Sequence, residues 1–140
     1  MPTTGKGLMS TEVSESKGLH ILVADDDVDI LGLVVQHLEI RFQATITEAS
    51  NGEEALEKAR ELMPDLVILD VMMPGMSGWE VCRAIREDES TAKLKVLMLT
   101  GIGERLNEMT SPLYGADDHL DKPFDLEVLE ERVRALTGTS

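Results

Sequence analysis

The sequence predicts an α/β domain: a doubly wound five-stranded parallel sheet with helices on both faces. Three observations predict it. Short apolar runs alternate with stretches of helical periodicity along one chain of 140 residues, the size of a single domain. Two of the runs, Leu66-Val67-Ile68-Leu69 and Val96-Leu97-Met98-Leu99, are continuously apolar, as strands buried on both faces are. The connections are short, and strict strand-helix alternation with short connections favours parallel pairing.

Each element has its own signal. Leu19 to Ala24 reads as a buried strand. Ile30, Leu31, Val34, Val35 and Leu38 then fall on one helical face, with Asp27 as a candidate N-cap. Ala44 to Glu48 is a weaker strand. Asn51-Gly52 opens a helix with Ala55, Leu56, Ala59 and Leu62 along one side, and Pro64 closes it. Asp65 to Asp70 is the third strand. Gly75 and Gly78 break the chain before a helix from about Trp79 to Glu87. Leu94 to Thr100 is the fourth strand, followed by a short helix from about Glu104 whose last turn Pro112 disturbs. The fifth strand lies around Asp118 to Asp121. A final helix has Asp125 as N-cap and Leu126, Leu129, Val133 and Leu136 as its buried stripe. Residues 1–17, rich in Gly, Ser, Thr and Glu, read as a flexible leader, residues 18–137 as the folded domain, and residues 138–140 as a disordered tail.

Composition narrows the function. Hydrophobic residues make up 42% of the chain and aromatics 3%, so the core is aliphatic. A net charge of −14 argues against direct binding to nucleic acid or to an anionic membrane, which needs clustered cations. No apolar run has the length of a membrane span. The single cysteine, Cys82, excludes an intramolecular disulfide and fits a reducing, cytoplasmic setting; its helical position beside Val81 and Ile85 makes it a core thiol. The eight methionines read as core filler. His20 and His37 receive no function.

In such a sheet, ligands bind outside the carboxyl ends of the strands. There the sequence places Asp25-Asp26-Asp27 after the first strand, Asp70 after the third, Thr100 after the fourth and Lys122 just beyond the fifth. Carboxylates brought together repel, and a hard cation with oxygen ligands relieves them; magnesium suits such a set. A hydroxyl and an ammonium beside it add a donor and a positive charge for phosphate oxygens. A carboxylate among them can act as nucleophile and form an acyl phosphate. Taken singly, Asp27 is a helix cap, Asp70 a turn residue, Thr100 a strand end and Lys122 a solvated lysine. Their convergence changes the balance.

Four segments, Ile21-Leu-Val-Ala-Asp-Asp-Asp27, Leu69-Asp-Val-Met-Met-Pro-Gly-Met-Ser-Gly78, Met98-Leu-Thr100 and Gly115-Ala-Asp-Asp-His-Leu-Asp-Lys-Pro-Phe124, resemble the motifs of response-regulator receiver domains in order and spacing. The resemblance runs from about Gly18 to Leu136. It implies a flavodoxin-like fold with strand order 2-1-3-4-5 and a cis peptide between Lys122 and Pro123. It implies Asp70 as phosphoacceptor, and Asp26, Asp25, Asp70 and the Met72 backbone carbonyl around Mg2+, or Mn2+ in its place. Thr100 would bond a phosphoryl oxygen and move inward on phosphorylation, and Lys122 would pair with Asp70 or its phosphate. The implied donor is a histidine kinase or histidine phosphotransfer protein. The output runs through a downstream effector or a further domain, because no second catalytic centre is visible. The final helix resembles that of receivers preceding winged-helix DNA-binding domains. The oligomeric expectation is a monomer or weak homodimer.

Departures from the family pattern carry their own expectations. His119 occupies the position of an aromatic switch residue, which implies a weaker or pH-sensitive switch. Met72 and Ile102, two positions after Asp70 and Thr100, cannot orient a hydrolytic water by a strong hydrogen bond, which implies slow self-dephosphorylation. Two other functions compete. An aspartyl-phosphate phosphatase of the haloacid dehalogenase type also uses an Asp nucleophile, but needs a second Asp where this chain has Met72. A pseudo-receiver that is never phosphorylated would not require the full acid set with Thr100 and Lys122.

Overall fold

The computed structural model describes residues 18–101 and 115–139. In chain order these form β1 (Leu19–Ala24), α1 (Val28–Arg41), β2 (Ala44–Ala49), α2 (Gly52–Leu62), β3 (Leu66–Asp70), α3 (Gly78–Glu87), β4 (Lys95–Thr100), β5 (Asp118–Asp121) and α4 (Leu126–Thr137). The strands form one sheet in the order β2-β1-β3-β4-β5. Every pairing is parallel, with Ala24 opposite Leu69, Leu69 opposite Met98 and Thr100 opposite Asp121. The predicted architecture is the observed one. The expected helix near Glu104, with Pro112 and Ile102, falls outside the described residues, as does the expected leader.

The period of two along each strand splits the core into two layers. Leu22, Ala24, Val67, Leu69, Val96 and Met98 pack with Ala55, Leu56 and Ala59 of α2 and with Val81, Cys82 and Ile85 of α3. On the other face, Ile21, Val23, Ile68, Leu97 and Leu99 pack with Val34, Leu38, Leu129 and Val133 of α1 and α4. Each fully buried aliphatic side chain contributes roughly 1.5–3 kcal/mol relative to exposure. Both layers bring helices against β3, which is why all five of its residues are buried.

Local chemistry sets the helix starts. The Asp27 carboxylate accepts from the backbone N–H groups of Asp29 and Ile30, as its residue type predicts. Asn51 caps α2 through the Glu54 N–H. Ser77 and Glu80 form a reciprocal capping box at α3, so that helix starts one residue before Trp79. Asp125 occupies the N-cap position of α4 but its side chain makes no cap hydrogen bond. Two stripes also depart from expectation. Leu62 is 37% exposed rather than part of the buried stripe; Leu126 and Leu136 are half-buried rather than core. β2 continues one residue beyond Glu48, to Ala49. Among the described residues, no helix is long and apolar enough to cross a membrane.

Candidate phosphoacceptor site

Parallel strands deliver their carboxyl ends to one rim, and four of the five strands bring candidate site residues there. Asp25 and Asp26 follow β1, Asp70 ends β3, Thr100 ends β4 and Lys122 follows β5. Asp25, Asp26 and Asp70 each offer a carboxylate oxygen, and these oxygens lie within 4.8 Å of one another. Asp25 and Asp70 are buried, at 1% and 3% exposure, whereas Asp26 faces solvent. Asp25 is held by its neighbours: its N–H donates to the Ala49 carbonyl at 3.1 Å, and its carboxylate accepts from the Asp27 N–H at 2.9 Å.

Lys122 spans the pair of buried acids. Its Nζ donates to Asp70 Oδ1 at 2.8 Å and to Asp25 Oδ2 at 3.2 Å. One ammonium does not balance three carboxylates. Burial, reinforced by the charges of Asp25 and Asp26, outweighs the hydrogen bond and charge of Lys122 and pushes the Asp70 carboxyl up to about 6. Burial also works against the charge on Lys122, but its hydrogen bonds and attraction to Asp70 and Asp25 prevail and raise its pKa above the ordinary lysine value. The site is thus short of positive charge, and its donors are hard oxygens, which fits a divalent cation.

The loop after β3 is packed tightly under Asp70. Val71 N–H donates to the Leu99 carbonyl at 3.0 Å and Gly78 N–H to the Val71 carbonyl at 2.9 Å. A Cβ at Gly78 would collide with the Asp70 carbonyl and press on Met98 Sδ, so glycine is what lets α3 start this close to the acid. Met72 lies in that loop with its side chain 65% exposed.

Thr100 ends β4 as predicted, but its fully buried hydroxyl donates to Asp121 Oδ1 at 2.8 Å. Asp121 was not singled out in the sequence; the signal for it lies in strand register, since Thr100 and Asp121 are Cα partners. His119 is half-buried, and its position two residues from Asp121 places both on one face of β5. Its backbone carbonyl accepts from Arg132 at 2.8 Å. Cys82 is buried, and burial pushes its thiol up to about 11, as befits a core thiol. The Lys122–Pro123 bond is cis, as the resemblance implied. His37, left without a role by the sequence, joins Arg41 and Arg134 around Glu130, away from the rim.

A parallel sheet of this strand order, with buried acids braced by a lysine at its carboxyl rim, defines a receiver-type phosphorylation domain. The chain belongs to the response regulator receiver domain family, whose model matches residues 21–134. It is 43% identical over 116 residues to the DNA-binding dual master transcriptional regulator RpaA of Synechocystis, covering 83% of this chain and 48% of that protein. It is 45% identical over 116 residues to the transcriptional regulatory protein ResD of Bacillus subtilis, covering 83% of this chain and 47% of that one. The chain therefore spans about half the length of these relatives. Among solved structures, chemotaxis response regulator CheY4 of Vibrio cholerae is 30% identical with a TM-score of 0.77, covering 84% of this chain and 98% of that one.

Proposed function

We propose that Asp70 is the phosphoacceptor of this receiver and that Asp25, Asp26 and Asp70 hold a divalent cation, magnesium or manganese, with the Met72 backbone carbonyl as a further ligand. The observation that carries the reading is the single ammonium of Lys122 bridging two buried carboxylates inside a three-acid cluster. When bound, the cation supplies charge neutralisation for the transferring phosphoryl group.

The residues of the chain do the rest. An Asp70 carboxylate oxygen attacks the phosphorus of a phosphohistidine donor. The new bond is an acyl phosphate, the P–N bond breaks, and the departing imidazole nitrogen takes up a proton. Lys122 holds the attacking carboxylate in place and balances charge on the phosphoryl oxygens. The Thr100 hydroxyl turns to a phosphoryl oxygen and so reports the event to β5 and His119. The donor is a histidine kinase or a histidine phosphotransfer protein. The net charge of −14 assigns any DNA contact to a separate output unit, in line with relatives named as transcriptional regulators.

The test is incubation with acetyl phosphate, with and without magnesium, read by intact mass. The parent is expected to gain one phosphoryl group only with the metal, and Asp70→Ala none. Equal labelling of Asp70→Ala overturns the assignment. The exposed Met72 side chain offers no strong donor or acceptor to a hydrolytic water, so phosphate loss is slow; Met72→Asn is expected to accelerate it severalfold, and an unchanged half-life refutes that role.

A further inference from the structure

Thr100 has one O–H to donate, and in this structure it goes to Asp121. We propose that Asp121 is a latch that holds the Thr100 hydroxyl on β5, so that the phosphoryl group and Asp121 compete for the same hydroxyl. The inference rests on the reading of Asp70 and Thr100 given above, and adds a positioning residue that sets how readily the domain switches.

The geometry makes the competition exclusive. Thr100 is 0% exposed, so no water takes over its proton when it leaves Asp121. The two residues are Cα partners on β4 and β5, and the Lys122 N–H donates to the Thr100 carbonyl at 2.7 Å, which fixes the backbone on both sides of the latch. Turning toward a phosphoryl oxygen therefore means rotation of the side chain, with the strand pairing kept. The acceptor at Asp121 is a solvent-exposed carboxylate, so the bond is charge-assisted, and water can re-solvate the acceptor but not the buried Thr100 hydroxyl when the latch opens. Asp121 also shares its face of β5 with His119, so release of the latch is felt at the switch position without passing through the core.

A ligand that must break the latch binds with the affinity of the unlatched fraction. The magnesium-dependent affinity for beryllofluoride, an analogue of the phosphoryl group, measures that fraction by calorimetry. Asp121→Val, a residue suited to a strand position, is expected to bind about tenfold more tightly than the parent, the size of one hydrogen bond to a charged acceptor. Asp121→Asn keeps an oxygen acceptor without the charge and is expected to stay within about threefold of the parent, well short of the valine variant. In a Thr100→Val background, Asp121→Val is expected to change nothing further. A parent-like Asp121→Val overturns the latch. So does Asp121→Asn matching Asp121→Val, which would make the effect one of charge. A second measurement needs neither metal nor analogue: the Thr100 side-chain torsion, from NMR couplings, is expected to be a single rotamer in the parent and in Asp121→Asn and averaged in Asp121→Val. If the parent bound no beryllofluoride, the phosphoacceptor reading would fail, while an unaltered torsion in Asp121→Val would sink the latch separately.

Discussion

The charge cluster at the sheet rim and the one between α1 and α4 are built in opposite ways. At the sheet rim one ammonium bonds two of three clustered carboxylates, and one of these, Asp70, is pushed up to about 6. Between α1 and α4 one carboxylate, Glu130, receives His37 at 3.0 Å, Arg41 at 3.1 Å and Arg134 at 2.7 Å. There the hydrogen bond from Arg134, backed by Arg41 and His37, holds the Glu130 carboxyl down at about 2. The first cluster has more carboxylates than cations; in the second, two guanidinium groups meet one carboxylate. The site proposed to accept a metal and a phosphoryl group is electrostatically incomplete, and a contact that fastens two helices is not.

The sharpest way to break this contrast is to remove the ammonium from the rim. Lys122→Met keeps most of the stem and takes away the charge between Asp70 and Asp25. Removing one partner of a largely buried pair leaves the other uncompensated, and about 2 kcal/mol of stability is expected to go at neutral pH without divalent cations. Urea denaturation measures it. Added magnesium is expected to recover part of the loss. An unchanged midpoint would mean that the rim is not short of charge.

A change in the opposite direction follows at Asp70 itself. Its folded-state pKa lies above the ordinary aspartate value of 3.8, so between about pH 4 and 6 the folded state keeps a proton that the unfolded chain has released. Stability contributed by this group therefore falls as pH rises through that window and stays low above it. Asp70→Asn is expected to be more stable than the parent at pH 7 by about 1–2 kcal/mol, less than the full conversion of 1.36 kcal/mol per pKa unit because an amide does not reproduce every contact of the protonated carboxyl. The advantage is expected to vanish near pH 4. Thermal denaturation without metal checks it, and a less stable variant at pH 7 would overturn the account of the rim.

The two clusters also differ in how far the sequence reveals them. The rim acids stand directly after apolar runs, and in a parallel sheet every such run ends on the same side, so Asp25, Asp26, Asp70 and Lys122 are legible without coordinates. The location of Thr100 is legible for the same reason. Its partner is not, because the choice between Asp70 and Asp121 is made by a side-chain torsion that no residue pattern encodes. Leu62 shows another limit: helical periodicity extends the stripe to the last residue of α2, yet that side chain is 37% exposed. The helix clasp is the least legible. His37 and Glu130 stand 93 positions apart on helices whose mutual placement follows from core packing, and a lone histidine on a helix carries no sign of its acid.

That clasp gives the smallest effect and the clearest test of the contrast. Glu130→Gln keeps the shape and one oxygen acceptor but removes the charge that Arg41 and Arg134 share. A carboxyl whose folded pKa is depressed contributes stability that is complete above its ordinary value, here 4.5, and is lost as pH falls through the folded value of about 2. The parent is therefore expected to exceed Glu130→Gln by a constant margin from pH 6 to 8, with the gap closing below about pH 4.5. Arg41 is half exposed and solvent screens its share, so the margin is expected to be smaller than the loss in Lys122→Met and to shrink in added salt. Asp70→Asn gains over the parent as pH rises from 4 to 6, whereas Glu130→Gln falls further behind it between about pH 2 and 4.5. Urea midpoints for both variants across pH 3 to 8 would show the two trends side by side. A Glu130→Gln margin that did not close in acid would mean that the clasp acts through shape and packing rather than through its charge.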